Sequence, residues 1–364
     1  MYHLRCASGF GRTRGVSHTT GTHGKALALL RAYETHAVGI EPRFFLQRAH
    51  LTVPATVWKY VEGAVKSGAD LVMLDLEDSI PSGDDAALAA GRMNVIRALN
   101  TLDWGRSARF FRPRGLALDP AFEDVRAIVG SAGARLEGLI WPKAEGAGEI
   151  TLLDEALGEA EREAGIAEGS IKIGILIESA RAEEEAFWIA GASRRVRSLI
   201  FGAYDYFSSL GMVGAAYRFD HPLVDAARMR IAKASASVGV PAIGEMTVNF
   251  PTKNKSAEEQ KAALEECRRD AAHAKALGFR GKWVGIPAQV QIAHEVFAIP
   301  EAEVTRALAE VRVFREAERE GRGATMIGGK MADRATDRHN RVVLAAARAA
   351  GMIDDATAAD LGLG

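Results

Sequence analysis

The sequence predicts a (β/α)₈ barrel with a helical extension at its carboxyl end. Three observations carry that expectation. Eight short apolar, β-branched runs recur along the chain. Stretches with apolar spacing near three and four separate them, as amphipathic helices require. The runs are continuously apolar, not alternating, which suits strands of a parallel sheet buried on both faces. An open doubly wound sheet is the main competitor, but no glycine fingerprint follows the first run.

The runs are AHLTVPA (49–55), DLVMLDLED (70–78), ARFFRPRG (108–115) and LEGLIWPK (136–143). They continue with IKIGILIES (171–179), VRSLIFGAYD (196–205), VPAIGEMT (240–247) and GKWVGIP (281–287). Between them VWKYVEGAVKSGA, FEDVRAIVGSAG and TLLDEALGEAEREAG read as helices. These runs place the barrel over residues 45–300. After residue 300 the pattern changes. EAEVTRALAEVRVFREAERE is a charged amphipathic helix, the glycine-rich GRGATMIGGK follows, and MADRATDRHNRVVLAAARAAG reads as a second helix. Residues 301–364 therefore form a helical extension. Residues 1–44 read as a basic Gly/Ser/Thr-rich tail and a lead-in helix.

Composition narrows the function. A net charge of −1 over 364 residues argues against general attraction to nucleic acid or membrane surfaces. No apolar run reaches the roughly 18 residues of a membrane span. The two cysteines, Cys6 and Cys267, suggest neither a disulfide framework nor a metal cluster, so a reducing, cytoplasmic setting is expected.

In such a barrel the chemistry sits at the carboxyl ends of the strands. Run two ends in Asp75, Glu77 and Asp78, run three carries Arg112, and run four ends in Lys143. Run five ends in Glu178, run six in Asp205, run seven near Glu245, and run eight leads into Gln289. Carboxylates without matching His or Cys suit a hard, oxygen-seeking cation, and Mg²⁺ typically takes one or two of them. Glu178 and Asp205 are the expected direct ligands, although Arg181 could instead pair with Glu178. Asp75, Glu77 and Asp78 would hold metal waters or orient neighbouring groups. Arg112 would present a forked donor to a substrate carboxylate.

The ordered motifs LTVPA, LDLEDSIP, NTLDWGRSAR, FRPRG, WPK, IESAR, FGAYDY, GFRGKWVGIPAQ and GKMADR resemble the CitE-like branch of the HpcH/HpaI aldolase superfamily. Malyl-CoA lyases and related acyl-CoA lyases belong to that branch, and the resemblance spans roughly residues 45–345. It implies a TIM barrel assembled as homotrimers or homohexamers. It also implies Mg²⁺, or Mn²⁺, on Glu178 and Asp205, and a substrate-binding Arg112. Arg48 and Lys59 match basic positions near the path of coenzyme A. Asp333 matches an aspartate that reaches a neighbouring subunit's site as acid or base.

The implied reaction cleaves or forms a 3-hydroxyacyl-CoA, such as malyl-, β-methylmalyl- or citramalyl-CoA. Its partners are an acyl-CoA and a 2-keto acid. Two alternatives stay open: an aldolase acting on free keto acids, and a non-catalytic binder of CoA esters. Three positions depart from the family pattern. Ile286 stands where a histidine is common, Pro113 and Arg114 follow the arginine, and Gly244 and Glu245 stand where strand seven usually ends in aspartate. The guanidinium of Arg114 is an extra donor for a carboxylate or phosphate, or else a solvated group. In the loop FPTKNKS, Lys253 and Lys255 read as a solvated basic patch more readily than as phosphate ligands. Trp141, Trp188 and Trp283 read as packing residues.

Overall fold

The computed structural model describes residues 46–213 and 217–363. The tail, the lead-in helix and Cys6 lie outside the described residues. Eight parallel strands close on themselves in sequence order: β1 (Ala49–Pro54), β2 (Leu71–Asp75), β3 (Ala108–Arg112) and β4 (Gly138–Trp141), then β5 (Lys172–Ile177), β6 (Val196–Phe201), β7 (Ala242–Gly244) and β8 (Gly281–Val284). Each sits inside the run that predicts it. What the runs contain beyond the strand is mostly the loop at its carboxyl end, where the polar residues lie.

Side chains alternate along each strand. Leu51, Val53, Val72, Leu74, Phe111, Leu139, Ile175 and Leu199 point outward and join one core with the helices. Leu71, Met73, Phe110, Ile140, Leu176, Ile200 and Ile243 fill the lumen, with Trp283 packed against them. The barrel is therefore a packed plug with a mouth above it, not a pore.

Helices α1 (Trp58–Val65), α2 (Asp85–Thr101), α3 (Glu123–Ala132) and α4 (Ala147–Glu163) follow the first four strands. Two short helices, α5 (Ala180–Glu184) and α6 (Ala186–Gly191), follow β5. After β6 come α7 (Ala203–Ser209) and α8 (Pro222–Ser237), then α9 (Ala257–Ala276) after β7 and α10 (Pro287–Val296) after β8. None of the described helices is long and apolar enough to cross a membrane.

The extension departs from the expected pair of helices. Between α11 (Glu301–Arg319) and α12 (Arg334–Ala349) lies a hairpin, β9 (Ala324–Ile327) and β10 (Lys330–Asp333). Gly328 and Gly329 both adopt positive φ, 57° and 78°, as a two-residue turn matching the strand twist demands. The second helix consequently starts at Arg334, with Asp333 as its cap. A last helix, α13 (Asp355–Asp360), closes the extension. Val304, Ala307, Val311, Leu344, Ala347 and Leu361 form its own small core.

Candidate active site

Register builds the first half of the site. Asp75 and Arg112 are paired positions on β2 and β3, so their side chains emerge on the same face. The Arg112 fork closes on Asp75, Nε donating to Oδ1 at 2.6 Å and Nη2 to Oδ2 at 2.8 Å. The backbone N–H groups of Glu77 and Ser79 donate to the same carboxylate, each at 3.0 Å. Burial opposes the charge on Asp75, yet Arg112 and these donors hold its carboxyl below the ordinary range. Arg112 Nη1 also reaches Glu77 at 3.0 Å and Asp78 at 3.2 Å. The guanidinium is almost fully buried, and its charge lies 5.5 Å from the ring centre of Trp283.

Arg112 thus has a structural role beside the one expected of it. Its two-pronged face meets Asp75. Arg112 fixes the acidic loop after β2 around the mouth.

The second half assembles on Lys143, directly beyond β4. This residue takes φ of 50°, a left-handed conformation uncommon for a residue with a side chain. Its backbone N–H donates to Glu178 Oε1 at 2.6 Å. Its ammonium lies 3.8 Å from Glu178, 3.5 Å from Asp205, 3.4 Å from Glu77 and 3.5 Å from Asp78. The mouth thus gathers Asp75, Glu77, Asp78, Glu178 and Asp205 around two cations. Burial pushes the Glu77 and Glu178 carboxyls above their ordinary range, although Lys143 pulls the other way on both. Glu178 pairs with Lys143, not with Arg181.

Glu178 follows β5 and Asp205 lies in the first turn of α7, so adjacent strands deliver both. Gly202, between β6 and α7, admits Glu178: a Cβ there would sit 2.4 Å from Glu178 Cβ and 2.7 Å from its Oε2. That Oε2 is buried and accepts no hydrogen bond among the described residues. An unsatisfied buried carboxylate oxygen, aimed beside a second carboxylate, fits a hard divalent cation. No set of three His, Cys, Asp or Glu residues among those described forms a complete metal cage. Two protein carboxylates with the remaining positions left to water and substrate is the arrangement Mg²⁺ favours.

Other expected positions fall elsewhere. Arg48 stands before β1, at the amino end of the barrel, where its guanidinium pairs with Asp70 at 2.8 Å. It is therefore on the face opposite the mouth, which removes it from the path assigned to coenzyme A. Lys59 is exposed in the first turn of α1, on the mouth side. Asp333 caps α12, accepting from the N–H groups of Ala335 at 2.8 Å and Thr336 at 3.2 Å. These backbone donors hold its carboxyl below the ordinary range. No hydrogen bond or ion pair among the described residues joins it to the acids of its own chain's mouth.

The departures are structural. Arg114 turns back to Asp124 of α3 at 2.9 Å. Glu245 points away from the mouth into a buried network with Arg228, Asp270, Lys282 and Tyr217; Lys282 reaches Asp270 at 2.5 Å, and Thr247 reaches it at 2.7 Å. Gln289 is buried too, accepting from the Gly285 N–H at 3.0 Å and donating to the Thr247 carbonyl at 2.9 Å. Lys255 folds onto its own loop at Phe250 O, 2.7 Å away. Trp141 packs on Phe122 and Trp283 on the lumen plug, but Trp188 is 71% exposed and fills no layer. Ile286 caps α10 without a side-chain hydrogen bond, as an apolar residue must.

Sequence reading counted Lys143 among the strand-end charges but gave it no role. The signal available was the WPK motif closing the fourth run. For Gly202 the sequence signal is a glycine wedged between a strand and an acid-bearing helix.

Residues 48–287 match the family model described as HpcH/HpaI aldolase/citrate lyase. An L-malyl-CoA/β-methylmalyl-CoA lyase of Cereibacter sphaeroides is 31% identical over 306 residues, 82% of this chain and 93% of that one. A citrate lyase structure from Burkholderia xenovorans LB400 superposes with a TM-score of 0.69 at 24% identity, covering 87% of this chain and 96% of its own. CitE from Mycobacterium tuberculosis, solved with magnesium, acetoacetate and coenzyme A, does so with 0.59 at 23%, covering 83% and 97%. At those identities the structures speak for the fold, and the closed barrel agrees with them. Family membership rests on the matched model and on the lyase relative: the chain belongs to the HpcH/HpaI aldolase/citrate lyase family.

Proposed function

We propose that the chain is a Mg²⁺-dependent carbon–carbon lyase acting on a 3-hydroxyacyl-CoA of the malyl-, β-methylmalyl- or citramalyl-CoA type. It separates an acyl-CoA from a 2-keto acid, or joins them. One observation carries the reading: Glu178 and Asp205, from adjacent strands, converge on a single cation, the Lys143 ammonium, while Glu178 Oε2 has no hydrogen-bond partner among the described residues. The similarity to a malyl-CoA/β-methylmalyl-CoA lyase supports the substrate class.

Glu178 and Asp205 hold the divalent ion, Mg²⁺ or Mn²⁺. When bound, it supplies Lewis-acid polarisation of a keto-acid oxygen. Asp75 and Arg112 lock one another, and Arg112 in turn anchors Glu77 and Asp78, so the acidic loop keeps its shape during turnover. Lys59, exposed at the mouth, would meet the phosphates of coenzyme A. Asp333 would act as acid or base at the α-carbon of the acyl-CoA; the N–H groups of its helix lower its basicity, so it needs to leave its capping position to do so. By the family resemblance it would serve a neighbouring subunit of a homotrimer or homohexamer. The buried free thiol of Cys267 suits a reducing cytoplasm.

The test is an assay of purified protein with glyoxylate, pyruvate or oxaloacetate and a panel of acyl-CoAs, with and without EDTA. Condensation that EDTA abolishes and Mg²⁺ restores is expected. Metal-independent turnover, or turnover of free hydroxy acids without coenzyme A, would overturn the assignment.

A further inference from the structure

The Lys143 ammonium sits against the two carboxylates that would hold a divalent ion. Its nitrogen lies 3.5 Å from Asp205 Oδ1 and 3.8 Å from Glu178 Oε1. An ion held by Asp205 and the free Oε2 of Glu178 would share both carboxylates with that ammonium, and like charges on shared partners repel. The side chain is not trapped, because it is 41% exposed. Its backbone hydrogen bond to Glu178 survives any movement of the side chain. The left-handed φ of Lys143 is the local strain that lets one residue present both its N–H and its ammonium to the same carboxylate.

We infer that Lys143 is a tethered rival of the metal: ammonium and divalent ion compete for Glu178 and Asp205, and loading the ion drives the ammonium outward to solvent. This rests on the metal reading above and adds a built-in control of how tightly the ion is held. The rivalry keeps the paired acids together and sets an upper limit on metal affinity. It gives Lys143 a positioning role that neither a structural lysine nor a bystander at the rim would have.

The experiment titrates Mn²⁺ into EDTA-stripped full-length protein and follows free Mn²⁺ by electron paramagnetic resonance. Lys143→Met is expected to bind Mn²⁺ about tenfold more tightly than the parent, the gain from removing a partly exposed ammonium that contacts several carboxylates. Lys143→Arg, which keeps the rival charge, should stay close to the parent. In the unaltered protein, acetylation of Lys143 read by mass spectrometry should accelerate when Mn²⁺ is added, a result that needs no variant to fold. Equal or weaker Mn²⁺ affinity in Lys143→Met, or acetylation of the parent that Mn²⁺ leaves unchanged or slows, would overturn the inference. Absence of Mn²⁺ binding in all three proteins would overturn the metal reading itself, and the inference with it.

Discussion

Lys143 addresses Glu178 twice, through a backbone N–H at 2.6 Å and an ammonium at 3.8 Å from the same oxygen. The first contact orients the carboxylate and the second tempers its charge. The other oxygen of Glu178 accepts no hydrogen bond among the described residues. If that oxygen and Asp205 hold the ion, Glu178→Gln and Asp205→Asn should each lower turnover by more than about 10²-fold. Circular dichroism should show an intact fold. Parent-like rates in both variants would remove the metal assignment.

Gly202 offers a sharper probe of the same carboxylate. Gly202→Ala places a methyl 2.4 Å from Glu178 Cβ, a contact that only movement of Glu178 or the α7 turn relieves. Mn²⁺ affinity should fall while the lumen plug, built from other residues, keeps the barrel folded. A variant with parent-like Mn²⁺ affinity would show that Glu178 has no role in holding the ion.

Arg112→Met tests the structural reading of the arginine. The substitution leaves Asp75 and Glu77 buried without their main counter-ion, a defect that typically costs about 3–5 kcal/mol. Urea unfolding should therefore show a large loss of stability along with lost activity. Undiminished stability with a raised KM alone would return Arg112 to the role of a simple substrate anchor.

Asp333→Asn separates capping from chemistry. Asparagine caps helices about as well as aspartate, so the extension should keep its thermal midpoint. Turnover should fall by about 10²-fold or more, with Mn²⁺ affinity unchanged. An unchanged rate would remove Asp333 from the reaction.

His50 gives a pH signature remote from the mouth. Burial lowers its pKa to about 3, against 6.5 for the free side chain, although the charge of Asp70 pulls upward. Between those values the unfolded chain binds a proton that the folded chain refuses. This contribution is therefore complete above about pH 6.5 and drains away as pH falls toward about 3, at up to ~1.4 kcal/mol per pH unit. His50→Gln should flatten that part of the stability profile in denaturant titrations. An identical slope in parent and variant would contradict it.

The eight strands were legible because burial on both faces leaves continuous apolar runs, which loops and surface helices do not produce. The acids of the mouth were legible for a related reason: a charge straight after such a run has few places to go. Glu245 shows the limit of that rule. Beyond a strand's end the alternation that sends Asp75 toward the mouth no longer binds the chain, and Glu245 turns to the buried Arg228 instead. Arg114 went astray in the same way, since its partner Asp124 comes from a helix that only folding brings near. The hairpin before α12 escaped because its strands are four residues each, too short to show a period. Lys143 was visible as a residue, but its backbone conformation was not, and that conformation makes it central.

The plug of Leu71, Met73, Phe110, Ile140, Leu176, Ile200 and Ile243 has a consequence for traffic. A vessel with a solid floor has one doorway, so whatever enters last must depart first. The fragment lying deeper, against the acids, then stays until the bulkier one has cleared the exit. Release should be ordered, and the deeper fragment should compete with incoming substrate as an inhibitor, which product-inhibition patterns would reveal.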